Sequence, residues 1–138
     1  RKINALGVQI VVITNQSGVG RGYYEEEDVL SLHKWMTEEF IKNGVKIDNW
    51  YYCPHHPEAA EEKYRKASLL RKPNSAMAEL AFNDLDIDPM RSLMIGDKKS
   101  DKLKNLDLET WFIKGKYELG DGKIIESIKE VLEYFRQD

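Results

Sequence analysis

Val8-Gln9-Ile10-Val11-Val12-Ile13-Thr14-Asn15-Gln16-Ser17-Gly18-Val19-Gly20-Arg21-Gly22 changes character halfway along. A β-branched, almost continuously apolar run gives way to small hydroxyls, amides, a guanidinium and three glycines. The first six residues read as a strand covered on both faces in a parallel sheet, because polar alternation is missing and branched side chains suit a buried pleated surface. The loop that follows has the chemistry of a phosphate cradle. Glycines let backbone N–H groups approach an anion, Thr14 and Ser17 offer compact donors, and Arg21 brings a fixed charge with a planar donor fork. A Gly-rich turn at a strand end also serves as plain structure, so the choice falls to later segments.

Past Gly22 the hydrophobic period changes. Across residues 25–43, Val29, Leu32, Trp35, Met36, Phe40 and Ile41 recur at three- and four-residue spacings, which predicts an amphipathic helix stopped by Gly44. His33 inside it reads as a helix-surface residue rather than a ligand. Residues 47–53 form a second strand candidate, followed by Pro54-His55-His56-Pro57 and a charged run through Lys66. Residues 74–82 read as a helix with Asn74 as the candidate cap, Leu93-Met94-Ile95 as a short buried strand, and residues 108–113 as another. Ile124, Ile128, Val131, Leu132 and Phe135 are expected to line a final helix. Upstream, Arg1-Lys2-Ile3-Asn4-Ala5-Leu6-Gly7 reads as the last turns of a helix with Gly7 as its stop. With no initiator Met and no helix start, the expectation is that the chain begins inside an element. Strands alternating with helices predict an α/β fold, a Rossmann-like parallel sheet flanked by helices, in one domain over residues 1–138.

Composition bounds the function. The 138 residues are 41% hydrophobic and 10% aromatic, ample for a buried core. Lys and Arg total 21 against 24 Asp and Glu, a formal charge of −3, which gives no overall pull toward nucleic acid or anionic membrane. Any anion site must be local. The lone Cys53 excludes an internal disulfide framework and fits a reducing compartment. No apolar stretch approaches the roughly 20 residues needed to span a bilayer, so the cytoplasm is the expected location, and a monomer the expected state.

In parallel α/β sheets, ligands sit beyond the carboxyl ends of strands. Three polar groups fall there: the loop after the first strand, Arg71-Lys72-Pro73 ahead of a helix, and Gly96-Asp97-Lys98-Lys99-Ser100-Asp101 after the Leu93 strand. Asp97 is placed to present a carboxylate where hard oxygen ligands suit Mg²⁺. If the following residues turn helically, Asp101 faces the same side and joins the outer coordination shell. An Asp favoured by a helix dipole is the plain alternative. Lys72, restrained beside Pro73, would neutralise a phosphoryl group at a strand-end cleft. The reading requires the hydroxyl of Thr14, the ammonium of Lys72 and the carboxylate of Asp97 to meet around one oxyanion.

Thr14, Lys72 and Asp97, in that order and on those elements, resemble the haloacid dehalogenase-like (HAD) phosphohydrolases over nearly the whole chain. Within them, Thr14-Asn15-Gln16-Ser17-Gly18 with Arg21-Gly22, Tyr52-Cys53-Pro54-His55-His56-Pro57, Arg71-Lys72-Pro73 and Gly96-Asp97-Lys98 look most like the heptose-1,7-bisphosphate and histidinol-phosphate phosphatases. Ser17 and Arg21-Gly22 resemble the heptose branch. The resemblance implies that Thr14 binds the transferring phosphoryl group, that Asn15, Gln16, Ser17, Arg21, Arg71 and Lys98 contact a phosphosugar, and that Lys72 stabilises an aspartyl-phosphate. It also implies Mg²⁺ on Asp97 and a place in lipopolysaccharide-precursor synthesis. Other small phosphate esters, or a non-catalytic phosphosugar-binding role, stay open.

Two departures stand out. The family's Asp-x-Asp-Gly-Thr nucleophile segment has no counterpart here. Asp84-Leu85-Asp86-Ile87-Asp88 follows a helix and lacks the Gly and Thr, so it reads as a solvent-facing loop, and the chain as given is expected to be inactive. Relatives also carry Cys-x-His and later Cys-x-Cys, a zinc set. Here Cys53 and His55 face Ser68 and Leu70, and one thiol with two imidazoles falls short of four ligands. No zinc is expected, and residues 58–69, rich in Ala, Glu, Lys and Leu, are suited to form a short helix in its place.

Overall fold

The apolar run after Gly7 becomes strand β1 (Val11–Asn15), which pairs in parallel with β2 (Asn49–Cys53) in the register Val11↔Asn49 to Asn15↔Cys53. This is a computed structural model, and it describes residues 1–136. The strand starts later than the run because Ile10 is taken up otherwise: its N–H donates to Asp48 Oδ2 at 2.7 Å, and its carbonyl accepts from the Asp48 N–H at 2.7 Å. All five β1 residues are half-buried, a weaker burial than the sequence predicts for a strand covered on both faces.

The described residues fall into two compact units, the first over Arg1–Arg71 and the second from Lys72 onward. In the first, α1 (Lys2–Ala5) ends where predicted, with Gly7 at φ +76°. Asn4 then ties it to residue 46 through two hydrogen bonds, of 3.1 and 3.0 Å. A single helical turn, α2 (Ser17–Gly20), follows β1, and the long helix α3 (Glu26–Lys42) follows α2. Gly44 ends that helix at φ +72°.

The period of α3 is as predicted but its phase is not. Val29 and His33 are buried and Met36, Thr37 and Phe40 half-buried, whereas Leu32, Trp35 and Ile41 are more than half exposed at 51%, 58% and 62%. Apolar residues on both flanks of the helix leave the phase open to sequence, and packing settles it. His33 is corrected from surface to core: at 7% exposure its ring stacks on Trp50 with centroids 4.5 Å apart. Burial holds its pKa below the usual histidine value, so it packs as a neutral aromatic ring.

Residues 58–69 are a second correction, since they contain only one 3₁₀ turn, Glu62–Tyr64. Tertiary bonds override the helical composition. The Arg65 guanidinium donates to the carbonyls of Ala59 at 2.7 Å and Ala60 at 2.9 Å, and His56 pairs with Arg65 as an isolated bridge.

The second unit opens with α4 (Ala76–Asp84), whose N-terminal boundary residue is Ser75 rather than Asn74, with no side-chain cap. Its three strands run parallel in the order β3–β4–β5: β3 (Leu93–Gly96), β4 (Glu109–Ile113) and β5 (Lys123–Ile125). β4 has partners on both edges and carries the most buried residues, Thr110, Trp111 and Phe112. β5 corrects the predicted final helix. Ile124 and Ile125 belong to a strand, one exposed and one fully buried, and only Val131–Phe135 form the helix α5. Three residues are too few to display a period.

Candidate functional site

In the first unit, the predicted cradle closes on itself. Gln16 Nε2 donates to Thr14 Oγ1 at 3.1 Å, and the Tyr24 hydroxyl donates to Gln16 Oε1 at 2.7 Å. The Gln16 N–H continues the β1–β2 ladder to the Cys53 carbonyl at 2.8 Å. Thr14, Asn15, Gln16 and Ser17 are thus gathered at the end of β1, half-buried. Arg21 leaves the turn exposed to solvent.

The glycines act differently from the expectation of open backbone N–H groups. A Cβ on Gly18 would overlap the Tyr24 ring, and one on Gly20 would lie 2.7 Å from Ala59 Cβ. Only Gly22 is required by its backbone, at φ +77°. Tyr24 is a member of this loop that sequence reasoning missed. Its signal was an aromatic residue two positions past the last glycine.

At the end of the same unit, Arg71 is half-buried and its Nη1 is fully enclosed with no hydrogen-bond partner among the described residues. An enclosed, unpaired guanidinium nitrogen is costly unless something fills its donor role. His55 Nδ1 is enclosed and unpaired in the same way. Cys53 is buried, with Sγ 3.9 Å from the His55 carbonyl.

In the second unit, Asp101 organises everything. Its Oδ1 pairs with Lys72 Nζ at 2.5 Å, and its Oδ2 accepts the N–H groups of Asp97 at 3.0 Å and Lys98 at 3.1 Å. Asp101 is 3% exposed, so among the described residues its charge is solvated by these donors. Gly96 makes the arrangement possible, because any Cβ there would overlap the Asp101 carboxylate. The 3₁₀ turn Lys99–Asp101 supplies the helical return that the sequence reading required.

Asp97 is exposed at the end of β3, and among the described residues its carboxylate has no hydrogen bond or ion pair. It is a hard oxygen donor of the kind Mg²⁺ takes. No group of three His, Cys, Asp or Glu side chains that could hold a metal occurs among the described residues. Mg²⁺ commonly uses one or two carboxylates plus substrate phosphate and water, and Asp97 fits as one such ligand. Asp101, with both oxygens engaged, fits beside the site rather than on the ion. Lys98 turns its ammonium over the Tyr117 ring, 4.4 Å from the centroid, with Lys116 at 5.2 Å. Tyr117 gave no signal in sequence beyond an aromatic within a Gly- and Lys-rich loop. Asp86 and Asp88 lie exposed in the loop beyond α4, at whose end Asp84 is likewise exposed, and Asp88 caps the next turn through the Met90 N–H at 2.9 Å.

A family model described as HAD-hydrolase-like matches residues 69–107, the stretch holding Arg71, Lys72, Asp97, Lys98 and Asp101. A D-glycero-alpha-D-manno-heptose-1,7-bisphosphate 7-phosphatase of Burkholderia mallei is 47% identical over 97 residues, 70% of this chain and 51% of the relative. A D-glycero-beta-D-manno-heptose-1,7-bisphosphate 7-phosphatase of Haemophilus ducreyi is 40% identical over 126 residues, 91% of this chain and 67% of the relative. Among solved structures, the D,D-heptose 1,7-bisphosphate phosphatase of B. bronchiseptica complexed with magnesium and phosphate is similar with a TM-score of 0.80. That match has 22% identity over 99% of this chain and 78% of the other, a likeness of fold. The chain spans about half the length of most of the curated relatives it matches.

Proposed function

Because this chain belongs to the HAD-like heptose-1,7-bisphosphate 7-phosphatase family, we propose that it carries the phosphate- and Mg²⁺-binding residues of a sugar-phosphate phosphatase. The substrate in this reading is D-glycero-D-manno-heptose 1,7-bisphosphate, and the bond cleaved is to the 7-phosphate. The supporting observation is the Asp101 carboxylate. It fixes the Lys72 ammonium and the backbone of Asp97 and Lys98, while the Asp97 carboxylate stays exposed.

In this reading Thr14 donates its hydroxyl to the transferring phosphoryl group. Lys72, held by Asp101, balances charge on the phosphoryl oxygens. Asn15, Gln16, Ser17, Arg21 and Lys98 contact the phosphosugar, and Arg71 recognises an anionic group of the substrate through its guanidinium charge. Asp97 would hold Mg²⁺, which when bound neutralises developing charge during phosphoryl transfer. The transfer would run through an aspartyl-phosphate on a carboxylate that residues 1–138 do not supply, so these residues bind without turning over.

The test is a calorimetric titration of the chain with inorganic phosphate, with and without Mg²⁺. Mg²⁺ is expected to strengthen phosphate binding, and Asp97→Ala to remove that dependence. Equal binding by the variant would end the metal assignment. Phosphate release by the chain preceded by an Asp-x-Asp-Gly-Thr strand, compared on heptose 1,7-bisphosphate and histidinol phosphate, tests the substrate. Preference for histidinol phosphate would move the chain to the neighbouring branch, and release from neither ester would favour a phosphosugar-binding role.

A further inference from the structure

Outside the residues assigned to phosphate and metal, the described side chains include one carboxylate whose two oxygens are both committed to tyrosines. Glu26, the first residue of α3, accepts from the Tyr52 hydroxyl at Oε1, 2.8 Å, and from the Tyr64 hydroxyl at Oε2, 2.7 Å. Tyr52 lies on β2 and Tyr64 ends the Glu62–Tyr64 turn, so one side chain joins three segments far apart in sequence. Tyr64 is buried in a cluster with Val19, Val29 and Ala59, against which Tyr52 packs.

That cluster lies against the turn α2. A Cβ on Gly20 would come within 2.7 Å of Ala59 Cβ and 3.2 Å of Tyr64 Cβ, and the Gly20 carbonyl accepts the Glu61 N–H at 3.1 Å. The contact runs from the carboxylate to Tyr64, from Tyr64 and its turn to Gly20, and from Gly20 along α2 to Ser17. We infer that Glu26 is a positioning residue for the Ser17–Gly20 turn, acting through Tyr64 and Tyr52.

An acceptor-only group is what two hydroxyl donors require. A glutamine of the same length offers one carbonyl oxygen and one amide that only donates, so one tyrosine keeps a neutral acceptor while the other must turn its hydroxyl away and accept instead, and both charge-assisted bonds are lost. The two hydroxyls hold the Glu26 carboxyl below its ordinary value, and burial and the carboxylate together push the Tyr52 phenol up to about 12. The consequence for phosphate rests on the phosphatase reading, whereas the placement of the turn does not.

The experiment compares the chain with Glu26→Gln and Tyr64→Phe by residue-resolved amide hydrogen exchange and by inorganic phosphate titration in Mg²⁺. Loss of the charge-assisted bond to Tyr64 is expected to speed exchange at the Glu61 and Arg21 amides about tenfold, with the amides of Phe40 and Ile41 in α3 unchanged. Phosphate affinity is expected to fall several-fold in Glu26→Gln and less in Tyr64→Phe. Unchanged exchange at Glu61 and Arg21 in both variants overturns the inference, as does acceleration spread evenly over both units, the mark of a global stability effect. Local acceleration in a chain that binds no phosphate even as wild type upholds the positioning role and removes the phosphatase reading. Should Glu26→Gln fail to fold, Tyr64→Phe alone carries the comparison, because it deletes a single hydroxyl.

Discussion

At the residue scale, Asp97 and Asp101 show how two carboxylates four residues apart divide their work. Asp101 is buried and fully bonded, a group whose role is to place others; Asp97 is exposed, with its carboxylate unengaged among the described residues. Their substitutions should therefore separate. Asp101→Ala removes the buried carboxylate that pairs with the Lys72 ammonium and accepts two backbone N–H groups, and is expected to cost about 3 kcal/mol. Asp97→Ala removes an exposed side chain and is expected to stay within about 0.5 kcal/mol. Urea unfolding of both variants measures the difference, and equal losses would show that Asp101 does not organise this loop. The spacing Asp97 to Asp101 was legible in sequence. The assignment of roles was not, since it depends on burial and on Lys72, 29 residues upstream of Asp101.

At the scale of elements, α2 is held by what it touches more than by its own propensity, for a four-residue turn with two glycines is a poor helix by itself. Gly20→Ala would raise helical propensity, yet its Cβ meets Ala59 at 2.7 Å. Overpacking is expected to dominate, at a net cost of about 1–3 kcal/mol. Ala59→Gly made together with Gly20→Ala should recover part of that loss, and additivity of the two single changes in thermal unfolding would show that the contact does not matter. The same reasoning explains α3. Its period was legible because Val29, Met36 and Phe40 recur at helical spacing. Its phase was decided by His33 stacking on Trp50, whose Nε1 donates to Thr37 Oγ1 at 2.8 Å.

At the scale of the whole molecule, stability against pH gathers these local bonds into one measurable curve. The carboxyl of Glu26 is lowered in the fold by the Tyr64 and Tyr52 hydroxyls, so its contribution is present above the ordinary value of 4.5 and is lost as pH falls through the lower folded value. The phenol of Tyr52 is raised from 10.0 to about 12; that contribution is complete below 10.0 and is lost as pH rises through about 12. Thermal unfolding from pH 3 to 12 should fall at both ends; Tyr52→Phe should lose the steepest part of the alkaline limb, and an unchanged limb would contradict the assignment. What could be read from local spacing and residue chemistry was an α/β class with parallel strands, the elements with enough residues to display a period, and Thr14, Lys72 and Asp97 in the order that resembles the family. Tertiary structure alone decided the phase of α3, the burial of His33, the strand at Lys123–Ile125, the collapse of residues 58–69 to a single turn, and the Glu26 contact. Each of these depends on partners distant in the chain, and a periodic pattern carries no information about what lies across from it.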